Sequence, residues 1–163
     1  MITKFTENHL ESVFEISNQC FENGWNYSLF QQELKQTNRL NFVYEENGKV
    51  VAYCFSILGL DTLEILDIAV LPKYRHNGIA KKLLSHIENL AKQQNPEISF
   101  YLEVSEKNEI ARKVYEKLGY SIISKRKDYY GKDNSALIME KKWTKEIWLK
   151  VILTNFFLVP NAN

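Results

Sequence analysis

Only two cysteines occur in the 163 residues, Cys20 and Cys54, and neither metal-ligand nor disulfide spacing relates them, so two reduced thiols are expected. An excess of one charge sign is missing as well. Lys and Arg total 21 against 20 Asp and Glu, a net charge of +1, which gives no reason to propose nucleic acid or an acidic membrane as a partner. No basic-then-apolar signal segment opens the chain, so the cytoplasm is the expected location. No cluster of His, Cys or carboxylates has metal-binding spacing, and no metal is expected. Repeats, linkers and low-complexity stretches are absent too. What is present is 45% apolar and 13% aromatic content, enough for the core of one domain at this length and too little chain for two.

Hydrophobic periodicity predicts an α/β order of β-α-α-β-β-β-α-β-α-β-β. Ile2–Phe5 reads as a strand, Glu7–Gln19 and Ser28–Gln36 as helices, and Asn41–Glu45 and Lys49–Leu58 as strands joined by an Asn47-Gly48 turn. Leu63–Val70 is the next strand. Ile79–Gln94 follows as a helix with Ile79, Leu83, Leu84, Ile87, Leu90 and Ala91 on one stripe, stopped before Pro96. Strand Ile98–Val104, helix Glu109–Leu118 and strands Tyr120–Lys127 and Ala136–Lys141 complete the order.

Within Asp67–Lys81 an apolar strand passes through a proline turn into Arg75-x-x-Gly78-x-Ala80 and then directly into an amphipathic helix. A helix start leaves backbone N–H groups without intrahelical partners and carries partial positive charge, so amides gathered there suit a phosphodiester. Gly78 permits close backbone approach and Ala80 adds little bulk. The loop holds one glycine, which excludes the Rossmann fingerprint, and it lacks the Gly-Lys-Ser/Thr ending of a P-loop. Downstream, Leu102–Tyr120 runs from strand to helix, with Asn108 placed as N-cap, Glu109 in the first turn, Ile110, Val114 and Leu118 on apolar faces, and Gly119 as a left-handed C-cap.

The first segment resembles motif A of the GNAT superfamily of N-acetyltransferases, whose Gln/Arg-x-x-Gly-x-Gly/Ala loop holds the diphosphate of acetyl-coenzyme A. The second resembles its motif B through Asn108, Ala111, Tyr115, Gly119 and Tyr120. The resemblance implies the GNAT fold, a mixed, mostly antiparallel sheet with helices on both faces. It narrows toward the bacterial ribosomal-protein-alanine N-acetyltransferases at Ile68-Ala-Val-x-Pro-x-Tyr-Arg, at Leu102-Glu-Val with Asn108 and Tyr115, and at Arg126-Lys-Asp-Tyr-Tyr followed by Ala136-Leu-Ile-Met139. It covers residues 1–142. Two departures fall on the acceptor side: Gly24-Trp25-Asn26-Tyr27-Ser28 where that family has Pro-Trp-Ser, and Ser135 where it commonly has Asp.

Site residues follow from that resemblance. The backbones of Ile68, Ala69 and Val70 are expected to pair with the pantetheine arm, and those of His76, Asn77, Gly78, Ile79, Ala80 and Lys81 to hold the diphosphate, with Asn108 also on the cofactor side. Arg75 is either a phosphate contact or a solvated charge. Glu103 is a carboxylate interrupting an apolar strand, so it faces solvent or a polar cleft; the resemblance implies a proton acceptor. Tyr115 is either a core tyrosine or a hydroxyl aimed at the leaving thiolate; the resemblance implies the proton donor. Trp25 and Tyr27, with Tyr129 and Tyr130, are the expected walls of a channel for an extended N-terminal peptide, the implied acceptor being a ribosomal protein beginning with alanine.

Alternative readings are a small-molecule amine or lysine acetyltransferase, or an acyl-CoA-binding module without catalysis; retention of both Glu103 and Tyr115 favours an enzyme. The tail 143–163, with Trp143, Ile147, Trp148, Val151, Ile152 and Phe156-Phe157-Leu158-Val159, is too short and too interrupted to span a bilayer. It is expected as a helix packed on the domain or at a dimer interface, with an interfacial membrane helix as the alternative, so monomer and homodimer both stay open.

Overall fold

Local turn and cap chemistry marks out the elements in the computed structural model, which describes residues 1–142. The tail expected as a packed helix lies outside the described residues. In chain order these are β1 (Ile2–Lys4), α1 (Leu10–Cys20), α2 (Tyr27–Glu33), β2 (Phe42–Glu46), β3 (Lys49–Leu58), β4 (Thr62–Val70), α3 (Ile79–Gln94), β5 (Ser99–Ser105), α4 (Glu109–Lys117), β6 (Ser121–Arg126) and β7 (Ala136–Lys142). Short 3-10 turns at Glu7–His9 and Pro72–Tyr74 precede α1 and follow β4. Asn47 (φ 51°) and Gly48 (φ 75°) take the left-handed conformations that a two-residue hairpin needs. Asn26 and Asn108 cap α2 and α4, their side-chain oxygens accepting from the amides of Leu29 and Ala111 at 3.0 and 3.1 Å.

The element order is the expected one, and the differences have local causes. The first turn of the helix expected over Glu7–Gln19 is the 3-10 turn. The helix expected through Gln36 ends at Glu33, because the next amides bond only three residues back and the Glu33 carboxylate turns outward to accept from Arg39 Nε (2.7 Å) and Asn41 Nδ2 (3.0 Å).

Seven strands form one sheet in the order β1-β2-β3-β4-β5-β7-β6, antiparallel throughout except for the β4–β5 pair. Helices cover both faces. Leu10, Val13 and Ile16 of α1 and Phe30 of α2 pack with Val43, Tyr53, Phe55 and Ala69 on one side. Ile79, Leu83, Leu84, Ile87 and Ala91 of α3 and Tyr115 of α4 pack with Cys54, Leu63, Ile65, Phe100, Leu102 and Val104 on the other.

Two expected core positions differ. Ile110 is 70% exposed, because α4 turns Ala111, Tyr115 and Leu118 inward and adjacent helical residues stand about 100° apart. Leu90 is half-buried, while Glu88 two residues earlier is fully buried on α3. A buried carboxylate needs partners. Glu88 accepts from the Tyr120 hydroxyl at 2.9 Å and from Lys141 Nζ at 2.6 Å, tying α3 to the start of β6 and to β7. Lys141→Met removes the cation bonded to the buried carboxylate and leaves it the Tyr120 hydroxyl and the field of Lys92. Breaking such a pair costs about 3 kcal/mol, and a loss in urea unfolding below about 1 kcal/mol would contradict the role assigned to it.

Candidate active site

A split in the sheet creates the site. Opposite Phe55 and Ser56 of β3, the β4 partners jump from Asp67 to Ile65, so Leu66 is an extra residue that bulges and bends β4. On its other side β4 pairs with β5 only from Thr62–Ser99 to Ile65–Leu102. Beyond that point β4 continues along β3 and β5 along β7, and the two part. The Leu71 amide donates to the Val51 carbonyl at 3.0 Å, so alternation turns Ala69 toward β3 and the N–H and C=O groups of Ile68 and Val70 toward the opening. Local groups satisfy part of this edge. The Val70 carbonyl accepts from Arg75 Nε (3.0 Å) and from the Cys20 thiol (3.5 Å), and the Ile68 amide donates to the Asp67 carboxylate.

At the end of β4, His76 (φ 66°) and Gly78 (φ 72°) both adopt left-handed backbone before α3 begins at Ile79. The conformation strains His76 by about 1 kcal/mol and suits Gly78. A Cβ built on Gly78 would meet nothing within 4 Å, so the ground in front of the α3 N-terminus is open. That geometry suits an anion, with unpaired amides, a positive dipole end and no side chain in the way. Arg75 braces the loop against β4 through its Val70 contact.

Four elements bring side chains to the split. Glu103 lies one residue past the last β4–β5 pair, and its Oε1 accepts from Arg126 Nη1 of β6 at 2.8 Å. The same guanidinium stands 4.1 Å from the centre of the Tyr129 ring. Tyr115 reaches in from the opposite face, where burial pushes its hydroxyl above the ordinary phenol range and the nearby Cys54, Asp67 and Tyr130 push it the same way. It is therefore a neutral donor at physiological pH. Asp67 accepts from the Tyr53 hydroxyl at 2.7 Å; burial pushes its carboxyl up to about 6, while the hydrogen bonds from Tyr53 and Ile68 pull it down. Burial keeps Cys54 and Cys20 as thiols, both free.

The expected acceptor-side aromatics divide into two kinds. Trp25 packs on Phe30 and Phe55 (ring centres 5.4 and 5.9 Å), and Tyr27 meets Phe14 edge-on at 5.4 Å, so both help seat α2 on the sheet. Tyr129 and Tyr130 are exposed and edge-to-face at 5.1 Å. Their segment is clamped to the end of β5. The Glu106 carboxylate takes the Ser135 amide (2.8 Å) and Lys125, which hold it down near 2, and Ser105 Oγ meets Asn134 Oδ1 at 2.5 Å. Asp67, Arg126 and Glu106 were not among the expected site residues, although Arg126 opens one of the motifs that carry the resemblance. For Asp67 the signal was present, since it interrupts an apolar strand just as Glu103 does.

A mixed seven-stranded sheet, parted beside a helix start with a buried tyrosine, carboxylates and a free backbone edge at the parting, suits acyl transfer from an anionic carrier. Residues 10–120 match the Acetyltransferase (GNAT) family, and the chain belongs to that family. It is an acetyl-CoA-dependent N-acetyltransferase. It is 29% identical over 143 residues to the [ribosomal protein bS18]-alanine N-acetyltransferase of Haemophilus ducreyi, covering 85% of this chain and 97% of the relative. The crystal structure of the ribosomal-protein-S18-alanine N-acetyltransferase from Escherichia coli superposes with a TM-score of 0.81 at 26% identity, over 88% of this chain and 94% of that one. Ard1 from Thermoplasma volcanium gives the same TM-score, 0.81, at 25% identity over 88% and 97% of the two chains.

Gly78→Val is expected to weaken acetyl-coenzyme A binding at least about tenfold, roughly 1.4 kcal/mol, because a branched side chain disfavours the left-handed backbone and projects into the open ground. Calorimetry on a folded variant checks this; unchanged affinity would place the diphosphate elsewhere.

Proposed function

We propose that residues 1–142 form a catalytic unit that acetylates a protein N-terminal α-amine, the acceptor being the N-terminal alanine of a small-subunit ribosomal protein. The names of the relatives support the acceptor class. The observation that supports the chemistry is the position of Glu103 one residue past the last β4–β5 pair, with Tyr115 packed on the opposite face of the sheet and close enough to Asp67 to feel its charge.

In this reading the pantetheine arm lies along the free edge of Ile68 and Val70, displacing the Arg75 and Cys20 contacts on the Val70 carbonyl, and the diphosphate sits on the amides of His76–Lys81. Ala69 contributes close approach, since its own polar groups face β3, and Asn108 contributes by capping α4 beneath the site. The acceptor nitrogen attacks the thioester carbonyl carbon, the C–S bond breaks, and the nitrogen gives up a proton to Glu103 directly or through water. Arg126 occupies Oε1, which leaves Oε2 to take the proton. The departing thiolate takes a hydrogen bond and then the proton from Tyr115. Burial makes that phenol a reluctant acid, so its first contribution is the hydrogen bond, and solvent restores its proton afterwards.

An α-amine is the better acceptor for such a site. Its pKa of about 7.7–8.0 leaves a substantial neutral fraction near pH 7.5, whereas a lysine at about 10.4 is neutral in roughly one molecule per thousand. Tyr129 and Tyr130 supply an exposed aromatic wall for an extended peptide, whereas Trp25 and Tyr27 contribute by seating α2 on the sheet.

The test compares an Ala-Arg-starting peptide with the same peptide blocked at its N-terminus and carrying a free internal lysine. The unblocked peptide is expected to be acetylated faster; the reverse would promote the lysine or small-amine alternative. On the preferred acceptor, Glu103→Gln and Tyr115→Phe should each lower turnover by about a hundredfold or more with coenzyme affinity barely changed. Wild-type turnover in either variant would remove that residue's proton-transfer role.

A further inference from the structure

Asp67 is a titratable group at the centre of the split that the chemistry above leaves unused. It follows the bulge at Leu66 and precedes the Ile68–Val70 edge. Its pairing opposite Phe55 turns the carboxylate to the α1/α2 face. On β5, alternation from the buried Leu102 puts Glu103 on that same face. Two carboxylates therefore stand on the two lips of the opening, facing the side where the exposed Tyr129 and Tyr130 lie. They are not equivalent. Glu103 is held by Arg126 at 2.8 Å, whereas none of the ion pairs among the described residues includes Asp67.

The titratable groups around Asp67 are Tyr53 and Cys54 of β3, Cys20 of α1, Tyr115 of α4 and Tyr130, with Arg75 beyond Cys20, bonded to the Val70 carbonyl, and Glu103 and Arg126 across the gap. Burial pushes each of those thiols and phenols upward, so all five are neutral near pH 7. Ionised Asp67 is thus an unneutralised negative charge in a half-buried setting, held by the Tyr53 hydroxyl and the Ile68 amide. Such a position attracts a cation.

The reaction brings one. An α-amine arrives partly as R–NH3⁺ and must lose two protons, one before attack and one after, so a single base serves only half of that need. We propose that Asp67 is the acceptor-ammonium subsite: its carboxylate binds the incoming R–NH3⁺ at the split and takes its first proton, and Glu103 takes the second. The balance closes. An N–H bond breaks and an Asp67 O–H forms; the freed lone pair makes the C–N bond; the C–S bond breaks; the second nitrogen proton passes to Glu103; the thiolate gains the Tyr115 proton; return of the three side chains to their starting states releases one net proton to water.

The inference rests on the acceptor amine entering at the split, and its test does not depend on which amine that is. The full chain is assayed at saturating acetyl-coenzyme A with a panel containing the Ala-Arg peptide, the blocked peptide with a free lysine, and small primary amines. The identity of the fastest acceptor judges the N-terminal reading; Asp67 is then judged on that acceptor. Asp67→Asn should raise KM for the amine at least tenfold, leave KM for acetyl-coenzyme A unchanged, and remove from the pH profile of kcat/KM an acid limb centred near 6. Tyr53→Phe keeps the carboxylate but deletes a hydrogen bond that favours its ionised form, so the limb should move to higher pH. An Asp67→Asn enzyme with wild-type KM for the amine and an unaltered limb overturns the inference. Should that variant fail to fold, an unmoved limb in Tyr53→Phe overturns it equally.

Discussion

The loss of β4–β5 pairing after Ile65 and Leu102 is the constraint on which the rest of the molecule depends. Parting two neighbouring strands exposes backbone groups that a sheet would otherwise satisfy, and such an edge is a liability unless it is covered. The split is tolerated because each strand is secured elsewhere: β4 keeps a seven-pair ladder with β3, from Ala52–Val70 to Leu58–Leu63, and β5 keeps one with β7, from Ser99–Lys142 to Ser105–Ala136. The bulge at Leu66 sets where the strands diverge. Immediately past it, Arg75, Cys20 and Asp67 occupy polar groups that β5 no longer reaches.

In the proposed reading this arrangement separates the two substrates by face. The helix start of α3 and the loop before it lie at the far end of β4, so an anion held there directs the attached chain back along the free edge toward the split. Tyr115 approaches from the α3/α4 side, while Glu103 and Asp67 look out on the α1/α2 side. Buried phenols and thiols contribute no charge there, so the local field comes from the carboxylates of Asp67 and Glu103 and the guanidinium groups of Arg126 and Arg75. The Tyr129–Tyr130 segment is part of the same construction, because the Glu106 clamp fixes it to the last residue of β5.

What could be read in the sequence was local. A left-handed glycine closing a helix at Gly119, an asparagine cap, an Asn-Gly hairpin and the amphipathic stripe of α3 depend on neighbours within a few residues, and each stands where the pattern put it. Glu103 was visible as a carboxylate in an apolar strand. Its partner Arg126 was not, since the pair spans 23 positions and depends on β7 lying between β5 and β6. The buried Glu88 was hidden for the same reason: Lys141 is 53 residues away. The split itself is a matter of register, and no residue type announces where a parallel pair stops. Trp25 and Tyr27 carried the right composition for a peptide wall, but composition does not separate a wall from the ring cluster that seats α2.

The most direct test of this account is the response of individual backbone amides to coenzyme A, followed by two-dimensional amide NMR. If the free β4 edge and the start of α3 form the cofactor site, the largest shifts fall on Ile68, Val70 and the amides of His76–Lys81, with Ala69 and Leu71, which face β3, moving less. Shifts concentrated instead on the exposed edge of β6, with Ile68 and Val70 unmoved, would contradict the claim that the parting of β4 and β5 is where the acetyl donor lies.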